Sequence, residues 1–145
     1  MKPRKLMGVW LDTSKAVLVT LEGNSTDVKT LESGIETQER IEGETNQSGR
    51  FGNQFVEDER ARENRIEEME TKFLGRVLKS VAPADQLLVF GPAHMKTRFE
   101  KLFEKEAGPK PNLRAVEAAD SMTDNQIAAR VREFYGKDTG IPAQF

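Results

Sequence analysis

The chain has 145 residues with 37% hydrophobic and 32% charged side chains and a net charge of −2, which suits one soluble domain with a single core and leaves no room for two full-sized ones. It has no cysteine and one histidine, His94, which excludes disulfides, thiol catalysis and thiolate-bound metals and argues against a His-based zinc site or a Ser-His-Asp triad. No apolar run approaches the roughly 18 residues needed to span a bilayer, and the apolar segment after Met1-Lys2-Pro3-Arg4-Lys5 is too short for a signal peptide, so a cytoplasmic protein with no membrane contact is expected.

Leu6 to Leu11 is a short apolar run bounded by Asp12-Thr13-Ser14, and Ala16 to Leu21 is a second one ending at Glu22-Gly23-Asn24. Two antiparallel strands joined by a tight polar turn fit this pattern. Alternation at Val28, Thr30 and Ile35 predicts a third strand. From Gly34 to Gln54 the chain is rich in Glu, Thr, Asn, Ser, Gly and Gln and has no sustained hydrophobic period, so residues 34–54 are expected to form a long, flexible loop, either functional or disordered.

From Phe55 to Val81, Ile66, Met69, Phe73, Leu74, Val77, Leu78 and Val81 recur at spacings of three and four and predict an amphipathic helix. At 1.5 Å per residue it would be roughly 40 Å long. Its first half carries almost no apolar residue, and pairs such as Asp58 with Arg62 can support helical turns that project beyond the core.

Pro83 ends that helix; Gln86 to Phe90 is a buried strand leading into Gly91-Pro92, which reads as a strand-to-helix turn. Ala93 to Lys105 forms a second helix closed by Gly108-Pro109, Leu113 to Val116 a fifth strand, and Ser121-Met122-Thr123-Asp124 caps a last helix bearing Ile127, Val131 and Phe134/Tyr135 and stopped by Gly136, with a loose tail over 137–145. The order predicts a three-layer α/β/α domain with a mixed five-stranded sheet, antiparallel at one edge and parallel at the other, as in ribonuclease-H-like folds.

Gly49-Arg50-Phe51-Gly52-Asn53-Gln54-Phe55 lies between the polar stretch and the long helix. With Leu87-Val89-Phe90-Gly91-Pro92, Lys96-Thr97 and the final strand and helix from Leu113 to Tyr135, it resembles the middle domain of archaeo-eukaryotic class I release factors and their Pelota-type relatives, in a single-domain, bacterial-type form. That resemblance implies a translational-machinery-component fold over residues 1–145 and a GGQ-like tip, Gly52-Asn53-Gln54, reaching peptidyl-tRNA in a ribosomal centre. Gln54 would orient water against the ester, and Gly52 would bend the backbone. Asn53 stands where the family has its second glycine; it tolerates left-handed backbone but adds a side chain in a tight RNA cleft, so ribosome binding ranks above hydrolysis.

Arg50, Arg60, Arg62 and Arg65 are the candidate RNA contacts, although residues 55–81 hold seven acidic and six basic side chains. A non-catalytic ribosome-, RNA- or protein-binding module of the hibernation or stress type is the alternative. A Mg²⁺-dependent nuclease built on Asp12 with Glu117, Asp120 and Asp124 ranks third, since Asp12 reads most simply as a turn residue. No metal or other cofactor is expected.

Overall fold

The computed structural model describes residues 4–35 and 59–139. β1 (Lys5–Leu11) and β2 (Lys15–Glu22) pair antiparallel from Leu11 opposite Ala16 to Lys5 opposite Glu22. Asp12 closes the turn between them: its Oδ1 accepts the amides of Ser14 at 2.8 Å and Lys15 at 2.9 Å. A short carboxylate that bonds the backbone two and three residues on forms a local turn without tertiary help. Gly23, at φ 60°, makes the reversal into β3 (Ser25–Glu32), which pairs with β2 over its whole length.

β3 ends before Ile35. Ser33 donates its hydroxyl to Thr13 O at 2.6 Å and its amide to Ser14 O at 2.8 Å, and Gly34 turns at φ 73°. Ile35, predicted as part of the strand, is instead buried just beyond it. The rest of the predicted polar loop, residues 36–54, lies outside the described residues.

β4 (Gln86–Gly91) runs parallel to β1, and β5 (Asn112–Ala118) parallel to β4 with a register shift at Leu87/Leu88. The strand order is β3-β2-β1-β4-β5. This is the mixed five-stranded sheet expected from the sequence, antiparallel at one edge and parallel at the other. Leu87, Leu88, Val89 and Phe90 are all at most 1% exposed, which is why β4 reads as an unbroken apolar run: a parallel strand covered on both faces has no polar side.

Among the described residues three helices supply the two outer layers. On one face α1 (Glu59–Val81) and α2 (Met95–Lys105) bring Phe73, Val77, Met95 and Phe99 against Val9, Leu11, Leu87 and Val89. On the other, α3 (Asp124–Thr139) packs Ile127, Val131 and Tyr135 against Trp10, Val17, Val19 and Phe90. Burying each such side chain contributes roughly 1.5–3 kcal/mol.

Close approach of α3 depends on Gly8, where an added Cβ would lie 2.3 Å from Val131 Cγ2. Two polar anchors fix it further: Tyr135 donates its hydroxyl to Met7 O at 2.7 Å, and Trp10 Nε1 donates to Asp120 O at 3.0 Å. The predicted cap at residues 121–124 is a capping box, with Gln126 N donating to Thr123 Oγ1 at 3.1 Å and Thr123 N to Gln126 Oε1 at 2.9 Å.

Two helix ends differ from expectation. α3 runs through Gly136 to Thr139, because Tyr135 is anchored on β1 and a helical glycine costs only about 1 kcal/mol. α2 starts at Met95 rather than Ala93, because Ala93 sits at φ 55° and cannot join a right-handed helix.

Candidate functional site

The tip residues Gly52, Asn53 and Gln54, and Arg50 beside them, lie outside the described residues. The structure does place the helix that follows. α1 begins at Glu59, four positions after Phe55, and its residues 59–64 are all exposed. Burial begins with the half-buried Arg65 and Ile66 and becomes full at Glu70 and Phe73. The first turns, from Glu59 to Glu70, span roughly 16 Å at 1.5 Å per residue. They stand at the carboxyl end of β4, since Glu70 meets residues just after that strand.

Arg60, Arg62 and Arg65 all lie in this projecting part. At 100° per residue Arg62 and Arg65 are about 60° apart around the axis, whereas Arg60 and Arg62 are about 200° apart. Arg62 and Arg65 therefore form one basic edge, and Arg60 faces elsewhere. Over Glu59–Val81 six basic residues (Arg60, Arg62, Arg65, Lys72, Arg76, Lys79) and five acidic ones (Glu59, Glu63, Glu67, Glu68, Glu70) leave a net charge of +1.

Where α1 reaches the body it meets the strand-to-helix turn after β4. Gly91, at φ 153°, is required there: a Cβ would lie 2.2 Å from Leu11 O. Its carbonyl accepts Ala119 N at 3.0 Å, tying the turn to the end of β5. Pro92 and the left-handed Ala93 then swing the chain so that His94 caps α2 with φ −91° and ψ −15°. Lys96 holds the strained residue by donating from Nζ to Ala93 O at 2.6 Å.

The polar centre of this junction is Glu70. Its side chain is 9% exposed, and its Oε1 forms an ion pair with Arg98 Nη1 and lies 3.4 Å from His94 Nε2. Arg98 reaches on through Nη2 to Thr71 Oγ1 at 2.8 Å. A carboxylate here survives burial because a guanidinium satisfies it. His94 reads from the sequence as a residue without an obvious partner; the fold supplies one. The signal for Glu70 was present, since it stands between Ile66 and Phe73 in the apolar stripe of α1, where a charged residue needs a reason.

The acidic residues considered for a nuclease do not assemble. Asp12 is engaged by two backbone amides, Glu117 pairs with Arg130, and among the described residues no group of three or more His, Asp and Glu side chains converges on a point that could hold an ion. No described helix is long and apolar enough to cross a membrane.

No known family model matches this chain, and no curated protein matches it. Among solved structures it is similar to the crystal structure of an archaeal translation termination factor, aRF1, with 15% identity and a TM-score of 0.44 over 94% of this chain and 40% of that chain. This chain thus spans less than half the length of that factor.

Proposed function

We propose that this protein is a ribosome-associated, translation-factor-like protein of the cytoplasm that presents the Gly52-Asn53-Gln54 tip to peptidyl-tRNA and ribosomal RNA. The observation that carries this reading is placement: the tip precedes α1 by a few residues, and the first turns of α1 are solvent-exposed and stand off from the body. In this reading the exposed first turns of α1 would serve as a stiff stem for the segment that precedes them, one narrow enough to enter a cleft that the body cannot.

In this reading Gln54 would orient a water against the ester carbonyl, while Gly52 lets the backbone approach RNA closely. The ribosomal centre supplies the remaining surroundings. The test is peptide release from stalled ribosome–peptidyl-tRNA complexes by the wild-type chain and Gln54→Ala. Release by the wild type that is lost in the variant supports hydrolysis; equal release by both removes the catalytic role. Absence of co-sedimentation with ribosomes removes the whole reading.

A second reading keeps ribosome or RNA binding without hydrolysis. Asn53 in place of a glycine and the near-neutral charge of α1 favour it. Ribosome co-sedimentation with no release by either protein selects this reading over the first.

A further inference from the structure

Gly75 lies in the middle of α1, in helical conformation, and no contact inside the fold requires it. Among the described residues no atom lies within 4 Å of the position its Cβ would take. A mid-helix glycine is less favourable than alanine, because it loses more backbone freedom on folding. Gly8 and Gly91 face atoms that a Cβ would strike; Gly75 faces open space.

That space is the floor of a groove of about 380 Å³ between the second halves of α1 and α2, walled by Leu78, Ala82, Leu102, Pro109 and Pro111. Past Leu102 it meets a second hollow of about 280 Å³ that Lys101 and Lys105 line. Lys79 and Lys110 stand on the first one, and among the described residues Glu106 is the one carboxylate lining either. Among the described residues no carboxylate pairs with Lys79, Lys101 or Lys105, and Lys110 donates only to the carbonyls of Phe103 and Glu106. The groove is thus apolar at its floor and positively charged at its rim.

We propose that this groove docks an acidic amphipathic segment of a partner protein, with aliphatic side chains seated over Gly75 and carboxylates meeting the rim lysines. Helix-in-groove recognition uses this combination of an apolar floor and a charged margin. A nucleic-acid strand fits it less well, because base stacking needs aromatic faces and no described residue lining the groove is aromatic. The groove starts below the Glu70–Arg98 pair and runs away from Arg60, Arg62 and Arg65, so an occupant leaves the projecting turns of α1 uncovered.

The experiment is a random-peptide display selection on the full chain, followed by binding measurements on the enriched peptides with wild type, Gly75→Leu and the double variant Lys101→Glu/Lys105→Glu. Gly75→Leu points into open space and removes a helical glycine, so its melting temperature should equal or exceed that of the wild type. The expected result is a set of peptides rich in Leu, Ile, Asp and Glu that bind at least tenfold more weakly to both variants. Three results overturn the proposal: enriched peptides that ignore Gly75→Leu, enriched peptides without carboxylates, or a 20-nucleotide single-stranded RNA that displaces the peptides and itself loses binding in Gly75→Leu. Wild type sedimenting as a dimer that Gly75→Leu converts to monomer also overturns it, since a second copy would then be the occupant.

Discussion

Glu70 of α1 and Arg98 of α2 form an ion pair across the helix–helix interface, with the carboxylate side chain 9% exposed and the guanidinium side chain 26% exposed. This pair lies where α1 leaves the body, at the base of the turns that carry Arg60, Arg62 and Arg65. Removing the guanidinium leaves a buried carboxylate whose remaining ion-pair partner among the described residues is His94, at 3.4 Å. Arg98→Ala should therefore lower unfolding stability by roughly 2–3 kcal/mol, somewhat less than for a fully buried pair because Arg98 is partly solvated. Replacing both groups, Glu70→Leu with Arg98→Met, should recover most of that loss, because no unpaired charge remains. Urea unfolding of the three variants measures both; a double variant no more stable than Arg98→Ala would refute the account.

Gly8 is a packing requirement rather than a flexible point. Gly8→Ala puts a methyl group 2.3 Å from Val131 Cγ2, so α3 must shift or Val131 must change rotamer. The expected loss is roughly 1–3 kcal/mol. Adding Val131→Ala should make the combined effect smaller than the sum of the two single effects, which a double-mutant cycle in thermal or urea unfolding reads directly.

The turn after β4 holds two residues at positive φ, and they should respond to substitution with opposite signs. Gly91→Ala drives a Cβ to 2.2 Å from the backbone oxygen of Leu11, which no side-chain rotation relieves, so a loss of more than about 3 kcal/mol or failure to fold is expected. Ala93→Gly removes the steric penalty of φ 55° and should leave stability unchanged or raise it by up to about 1 kcal/mol. A marked destabilisation by Ala93→Gly would mean that the methyl group packs in a way the strain argument ignores.

If the projecting turns touch ribosomal RNA, the shared edge of Arg62 and Arg65 should matter more than Arg60. The double reversal Arg62→Glu/Arg65→Glu is expected to weaken ribosome co-sedimentation by on the order of tenfold at low salt, with a shallower salt dependence than wild type, since each lost phosphate contact reduces the slope by about one. Arg60→Glu alone should have a smaller effect. Equal loss in the two proteins would indicate a diffuse charge effect in place of a contacting edge.

The secondary structure was largely legible because most of it is dictated locally. The apolar runs of β1, β2 and β4, the spacing of Phe73, Leu74, Val77 and Val81, and the Thr123–Gln126 capping box are short-range patterns whose periods match strand or helix geometry. The junction at Glu70 was not legible in the same way. Glu70 and Arg98 are 28 positions apart, and only their meeting explains why a carboxylate stands in an apolar stripe. Gly136 misled for a related reason: its neighbour Tyr135 is held by Met7, 128 positions away, and that anchor outweighs the local tendency of glycine to end a helix.

By itself the sequence determined the order of strands and helices, the burial of β4, the turn chemistry of Asp12 and the presence of a polar, charged start to α1. The tertiary structure alone decided that His94 has a carboxylate beside it, that Gly8 admits α3 and that Gly75 opens a groove. Local elements follow from periodicity and backbone chemistry within a few residues, whereas partners and cavities depend on which distant surfaces packing brings together.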